Sequence, residues 1–326
     1  MSTPTQRRVA RALHAGGPEV IEVDVEDLPP LKAGEALVEV AAAGLNHAET
    51  LIRRGNYAVR LPFPHAVGGE GAGTVIATGP EVTTPVGTRV CWGAVLGSCA
   101  THVIAPAFLL APIPDGLSFE DGACLAVAGL TAGGLVRVWP VEGRTAVVWG
   151  AAGAVGRMLV ALLAGRGAHV IGIASGQRVD AVRAAGAAYV IDRATEDVQA
   201  AVREHSGGRG ATIVFDPIGA GTFETSLQLL GPRGCLVNYG ELSGPAPAVN
   251  LHQLFPKSIF VTKYNGMHWV EGLQEFASLI SEALVLAEKR RAVISDIAGR
   301  FPLDRIADAY RALETGAPGK VLVVPR

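Results

Sequence analysis

Three glycines recur at three-residue spacing in TAVVWGAAGAVGR, the stretch Thr145 to Arg157: Gly150, Gly153 and Gly156. An apolar run leads into them and an amphipathic run follows. Glycine permits a sharp turn and lets a phosphate approach the backbone closely. The helix that follows, entered at Ala154 and Val155, presents free N–H groups and the positive end of its dipole. That combination suits a diphosphate. The spacing is GxxGxxG rather than the commoner GxGxxG, so the context carries the argument: a strand before, a helix after, then a second strand ending near residue 175.

The end of that second strand selects the dinucleotide. An NAD site places an acid there for the ribose hydroxyls. Here the strand ends in IASGQR, with no acid at its tip. Ser175 can donate to a phosphate, Arg178 can pair with one, and Arg193, at the end of the third strand, can assist. The expected cofactor is NADPH.

Positioning these groups needs a large core. The chain has 326 residues, too many for one compact core, and 49% are hydrophobic. The formal net charge of −2, with both signs scattered, gives no basic stripe for nucleic acid and no polybasic membrane patch. Four cysteines (Cys91, Cys99, Cys124 and Cys235) form no CxxC pair, so neither a zinc knuckle nor a disulfide framework is indicated. The N-terminus MSTPTQRRVARALHA is basic but lacks the apolar segment of a signal peptide, and no apolar run reaches membrane-spanning length. A cytoplasmic protein is expected.

Residues 1–124 read as β-rich. EALVEVAAAGL alternates, and GAGTVIATG and VGTRVCWGAV are short strands bounded by glycine. Ser118, with Asp121 three residues on, signals a helix start. From 125 to 264 the rhythm is β-α-β-α. Strands TAVVWG, HVIGIAS, AYVID, TIVFDP, GCLVNYG and SIFVTKY alternate with amphipathic helices, the pattern of a parallel sheet covered on both faces. Residues 265–326 hold a long helix, EGLQEFASLISEALVLAEKRR, and a closing strand, KVLVVPR, expected to fold back onto the first region. The last strand of the middle region, 258–264, is β-branched and apolar. As an exposed edge it predicts a homodimer, unless the C-terminal helix covers it.

Further motifs carry a family resemblance: GGPEVIEVDVEDLP, AAGLNHAETLIRRGNY, VGGEGAGTVIATGPEV, AGLTA, WGAAGAVG, GAAYVID and FDPIG. Over nearly its whole length the chain resembles the zinc-independent quinone oxidoreductase branch of the medium-chain dehydrogenase/reductase superfamily. The resemblance implies an α/β protein. A GroES-like β-rich catalytic domain, built from both termini, flanks a Rossmann domain with a doubly wound parallel sheet. Zinc members place ligands where this chain has Leu45-Asn46 and Gly69-Glu70, so no metal is expected.

The implied activity is hydride transfer from NADPH to a quinone. The alternatives are an enoyl-thioester or alkenal double-bond reductase, with PFPHAVGGEGAG and KYNGMHW the places to seek a thioester groove, and a non-catalytic NADPH-holding protein of the crystallin type. By resemblance Asn46 faces nicotinamide and substrate, a turn-stabilising asparagine being the rival reading, and Tyr57 lines the substrate cleft. Thr131, Tyr239 and Lys320 lie by the cofactor in the family. Leu51 stands where bacterial members often carry a second tyrosine, which points to a more apolar pocket, and His47 is a possible proton donor beside Asn46.

Overall fold

The computed structural model describes residues 3–137, 139–268 and 272–325. Trp269 of KYNGMHW and Glu271, from which the long helix was expected, lie outside them. The chain divides into two compact units. One takes residues up to Leu130 with Gly272–Lys289 and the segment from Ile294 onward; the other begins at Thr131 and includes Arg290–Val293.

The first unit is organised by the strand Glu35–Gly44, whose side chains are buried along most of its length. Antiparallel partners flank it: Glu70–Thr78 on one side, and on the other His102–Pro106 along its first half and the closing strand Lys320–Val324 at its end. The closing strand thus returns to the N-terminal region. It also takes a parallel partner, Ile297–Pro302, that the sequence reading did not separate from the helix after it. Two register facts matter for function: Gly44 lies opposite Glu70 on one side and opposite Leu322 on the other. Residues directly opposite point to the same face, as does Lys320, two before Leu322.

Gly44 leaves that face open. A Cβ there would lie 2.6 Å from Lys320 Cε and 2.7 Å from Glu70 Oε1. The next residues form the helix His47–Arg53, with Asn46 at its N-cap. At the start of the helix Phe119–Leu135, Ser118 and Asp121 cap each other: Asp121 N–H donates to Ser118 Oγ at 3.0 Å and Ser118 N–H to Asp121 Oδ2 at 2.9 Å.

In the second unit six parallel strands run in the spatial order Tyr189–Asp192, His169–Ala174, Thr145–Val148, Ala211–Asp216, Leu230–Asn238 and Phe260–Lys263. Chain order therefore reverses beside Thr145–Val148, the first strand of the unit. That reversal point is where doubly wound sheets open a crevice at their carboxyl ends. The helices Ala154–Gly165, Val179–Ala185, Val198–His205 and Phe223–Leu229 connect the strands. Between helices and sheet lies an apolar core that includes Val147, Ile171, Ile191, Val214, Phe223 and Leu236.

Candidate functional site

The glycine turn sits at the carboxyl end of Thr145–Val148, at the reversal of strand order. Gly150 has φ +59°, a left-handed conformation that favours glycine. A Cβ on Gly156 would lie 2.2 Å from the Gly150 carbonyl oxygen, so the first helical turn packs directly on the loop. Gly153 is the N-cap of Ala154–Gly165 and brings no side chain to the cap. The N–H groups of Ala154, Val155 and Gly156 consequently open the helix without an intrahelical acceptor.

Beside this turn, at the ends of the next two strands, Arg193 Nε donates to Ser175 Oγ at 2.8 Å. Arg178 lies in the short helical turn Gly176–Arg178 and is exposed, as is Arg193. Ser175 and Arg193, two of the residues expected at the phosphate end, are thus in contact, and Arg178 follows Ser175 in the adjoining turn. Beside them stands a carboxylate that sequence reading missed. Ala174 lies opposite Asp192 in the parallel register, and Asp192 Oδ1 accepts N–H groups from Gly176 at 3.2 Å and Ala194 at 3.0 Å. Those bonds turn the acid toward its own backbone.

Tyr239 follows Leu230–Asn238 directly; burial pushes its hydroxyl well up, and its N–H donates to the Asp216 carbonyl at 2.9 Å. Asp216 is fully buried and accepts from Ile218 and Gly219 N–H and from the hydroxyls of Thr222 and Ser226, which fixes the adjoining loop. Thr131 is partly buried in the helix Phe119–Leu135.

In the first unit the side chain of Asn46 does not cap its helix. It turns into a cluster of charged groups. Asn46 Nδ2 donates to Glu70 Oε1 at 2.8 Å and to Glu49 Oε1 at 3.3 Å, while Lys320 Nζ donates to Asn46 Oδ1 at 2.9 Å. Lys320 Nζ also pairs with Glu70 Oε1, and Glu70 Oε2 accepts Val127 N–H at 2.7 Å. Both members of that ion pair are buried. The ammonium placed by resemblance near a cofactor is therefore engaged with a carboxylate and an amide of its own unit.

Of the carboxylates bonded to Asn46, Glu70 is the one that pairs with the Lys320 ammonium and is neutralised by it. Glu49 is left with Tyr310, whose hydroxyl donates to Glu49 Oε2 at 2.7 Å. Desolvation pushes the Glu49 carboxyl up to about 7, with the Glu70 charge adding to the rise and the Tyr310 and Asn46 hydrogen bonds opposing it. Burial, reinforced by Glu49, pushes the Tyr310 hydroxyl well up. Arg53, also buried, stands with its guanidinium 5.1 Å from the Tyr310 ring centre and pairs with Glu314.

Sequence reading named Asn46 but missed Glu49, Glu70 and Tyr310 as its surroundings. A signal existed for Glu49: Asn-x-x-Glu is the spacing of a capping box. The pair here joins side chain to side chain instead. Tyr57 lies in the irregular segment after the helix and is partly buried, and Leu51 is partly buried within the helix. His47 is exposed over more than a third of its surface; desolvation of the remainder and, second, the Lys320 ammonium push its imidazole down.

The donor set does not suit zinc. The groups about Asn46 are an amide, carboxylates and an ammonium that already neutralises Glu70, with no thiolate or imidazole among the residues hydrogen-bonded to it. Among the described residues no group of three or more His, Cys, Asp or Glu side chains could hold a metal ion. All four cysteines are buried and free, and burial pushes the Cys124 and Cys235 thiols up to about 12.

Comparison with known proteins adds to this geometry. Residues 32–115 match the alcohol dehydrogenase GroES-like domain, and residues 154–283 match the zinc-binding dehydrogenase family. A quinone oxidoreductase of Pseudomonas aeruginosa is 35% identical over 307 residues, covering 91% of this chain and 93% of that protein. A 2-haloacrylate reductase of a Burkholderia species is 32% identical, covering 93% and 94%. The structure of Escherichia coli quinone oxidoreductase complexed with NADPH superposes with a TM-score of 0.87 at 30% identity, covering 98% of this chain and all of that one.

Proposed function

Because the chain belongs to the quinone oxidoreductases of the medium-chain dehydrogenase/reductase superfamily, we propose that it is an NADPH-dependent oxidoreductase that reduces a quinone without zinc. One observation carries the reading: a glycine turn opens an uncapped helix at the reversal of strand order, with Ser175, Arg178 and Arg193 gathered at the neighbouring strand ends. The NADPH complex of the E. coli relative supports it.

In this reading the N–H groups of Ala154, Val155 and Gly156 hold the diphosphate, which Gly150 and Gly153 allow to approach. Ser175, Arg178 and Arg193 hold the 2′-phosphate by charge-assisted bonds. Thr131 and Tyr239 flank the nicotinamide end. When bound, NADPH supplies the hydride. Asn46 steadies the acceptor oxygen through an amide hydrogen, and Tyr57 lines the acceptor's place. Lys320 and Glu70 hold the Asn46 amide in one orientation. A conjugated acceptor spreads the charge it gains, so hydrogen-bond donors can stabilise it without a Lewis acid.

A second reading, reduction of a conjugated carbon–carbon double bond, is favoured by the similarity to a 2-haloacrylate reductase. Initial rates with NADPH against quinones, 2-haloacrylates, enals and enoyl thioesters separate the two. Calorimetry with NADPH and NADH tests the cofactor: NADPH binds at least about tenfold more tightly, in keeping with charge-assisted phosphate contacts. Equal affinity overturns the phosphate assignment. A non-catalytic, crystallin-like role would show as NADPH binding without turnover of any acceptor.

The strand Phe260–Lys263 supports a homodimer. It is the edge of its sheet, and Phe260 and Phe255 are 53% and 83% exposed. Two such edges paired about a two-fold axis would cover this surface. No described helix is long and apolar enough to cross a membrane. The buried free thiols suit the reducing cytoplasm.

A further inference from the structure

The amide of Asn46 has two N–H groups, and both point at carboxylates: Glu70 at 2.8 Å and Glu49 at 3.3 Å. The amide cannot turn over, because Lys320 Nζ donates to its oxygen and would meet N–H groups instead. With both carboxylates ionised, Asn46 therefore has no donor to spare. The bond to Glu49 is the longer one, and Glu49 lacks the ammonium that neutralises Glu70.

We infer that Glu49 is a positioning residue whose protonation releases one N–H of Asn46 for the acceptor oxygen. This rests on the reading that Asn46 touches the acceptor. Tyr310 keeps its bond to Glu49 Oε2, so an added proton is directed to Oε1, the oxygen facing Asn46. Once Oε1 carries hydrogen it is a far weaker acceptor, and the already long bond from the Asn46 N–H is given up. One N–H stays on Glu70 as an anchor and the other becomes available.

The surroundings of Glu49 fit such a role. From the neighbouring strands it faces Glu70 and Lys320; from the helix Ile306–Glu314 it faces Tyr310; within its own turn it faces Asn46; and Cys99, on a loop, lies within reach of its charge. Arg53 and Glu314 pair with each other close by. Desolvation and the Glu70 charge favour the protonated form, and the carboxyl is pushed up to about 7, inside the working range of an enzyme. His47 is pushed down instead, so its titration falls at a different pH.

The experiment is a set of pH profiles of kcat/KM for the quinone, at saturating NADPH, from pH 5.5 to 9. In the wild type the rate falls above about pH 7 by roughly tenfold per unit, the slope of one titrating group. Glu49→Gln cannot ionise, and its profile stays within about twofold over that range. Tyr310→Phe removes a bond that holds the Glu49 carboxyl down, so the fall moves to higher pH. NADPH affinity, measured by calorimetry on each variant, stays unchanged.

A wild-type limb above pH 7 that survives in Glu49→Gln overturns the inference. If Glu49→Gln does not fold, an unmoved limb in Tyr310→Phe overturns it equally. Asn46→Ala separates this from the underlying reading. Unchanged turnover in Asn46→Ala removes the donor assignment itself. Lost turnover there, combined with an unaltered profile in Glu49→Gln, removes only the role of Glu49.

Discussion

Lys320 reaches the Asn46 cluster only because Gly44 has no side chain: a Cβ on Gly44 would lie 2.6 Å from Lys320 Cε. It would also lie 2.6 Å from the Ala123 carbonyl oxygen, so the backbone closes the other escape. Gly44→Ala must displace the ion pair or the strand. The expected loss of stability is about 1–3 kcal/mol, typical of overpacking, read as a lower denaturant midpoint. An unchanged midpoint would show that the cluster yields more easily than this packing suggests.

The same pair makes a sharper test. Lys320→Met leaves Glu70 buried without a counter-charge, and breaking a buried pair from one side costs about 3–5 kcal/mol. Replacing both, as Lys320→Met with Glu70→Leu, recovers much of that loss, because the desolvation of two charges goes with them. Urea unfolding of the wild type and the two variants checks it. A double variant no better than the single would point to the Val127 N–H, left without its acceptor, as the larger cost.

Glu49 ties stability to pH. Its carboxyl is raised from 4.5 to about 7 in the folded chain, so between these values the folded state binds more protons than the unfolded one. Stability contributed by the protonated form is complete below about pH 4.5 and is lost as pH rises through 7. The full effect is on the order of 1–3 kcal/mol. Glu49→Gln removes this slope, so the variant gains on the wild type at pH 8 relative to pH 5. Parallel thermal melts of both proteins across that range measure it.

Arg178 and Arg193 should act on the coenzyme's extra phosphate alone. Each charge-assisted bond contributes about 1.5–3 kcal/mol, so each Ala substitution weakens NADPH binding by roughly tenfold to a hundredfold. NADH binding is unaltered, which makes the ratio of the two affinities the informative quantity. The NADPH affinity of the wild type falls with added salt more steeply than that of either variant. A proportional loss for both coenzymes would place the arginines elsewhere.

Phe260→Lys puts a charge on the edge strand. If that edge pairs two copies, light scattering shows a dimer for the wild type and a monomer for the variant, with NADPH binding retained. A wild-type monomer at micromolar concentration removes the edge-pairing proposal.

The features legible in the sequence were those that local pattern encodes. Alternation marked Glu35–Gly44, and the β-α rhythm marked the parallel sheet and its glycine turn. The strand Ile297–Pro302 escaped notice because Gly299, Arg300 and Pro302 break any apolar alternation; parallel pairing with Lys320–Val324, its register shifting between Ile297 and Gly299, makes it a strand. The reading of the phosphate end missed Asp192 for a related reason. It looked for an acid at the tip of its own strand, whereas a parallel register brings the acid across from the next one. The cluster at Asn46 was the least legible. Glu70, Tyr310 and Lys320 stand 24, 261 and 274 positions from the residues they bond, separations at which spacing carries no information.

The order of synthesis follows from the same strand. Lys320–Val324 leaves the ribosome long after Glu35–Gly44, yet it pairs with that strand and carries the cation that Glu70 requires. Throughout translation of the intervening segments, the early strand waits with an open flank and an uncompensated acid beside it. The first unit therefore cannot close before Lys320 has emerged, and a nascent chain stalled ahead of Lys320 should rely on chaperone shelter more than one that has passed it.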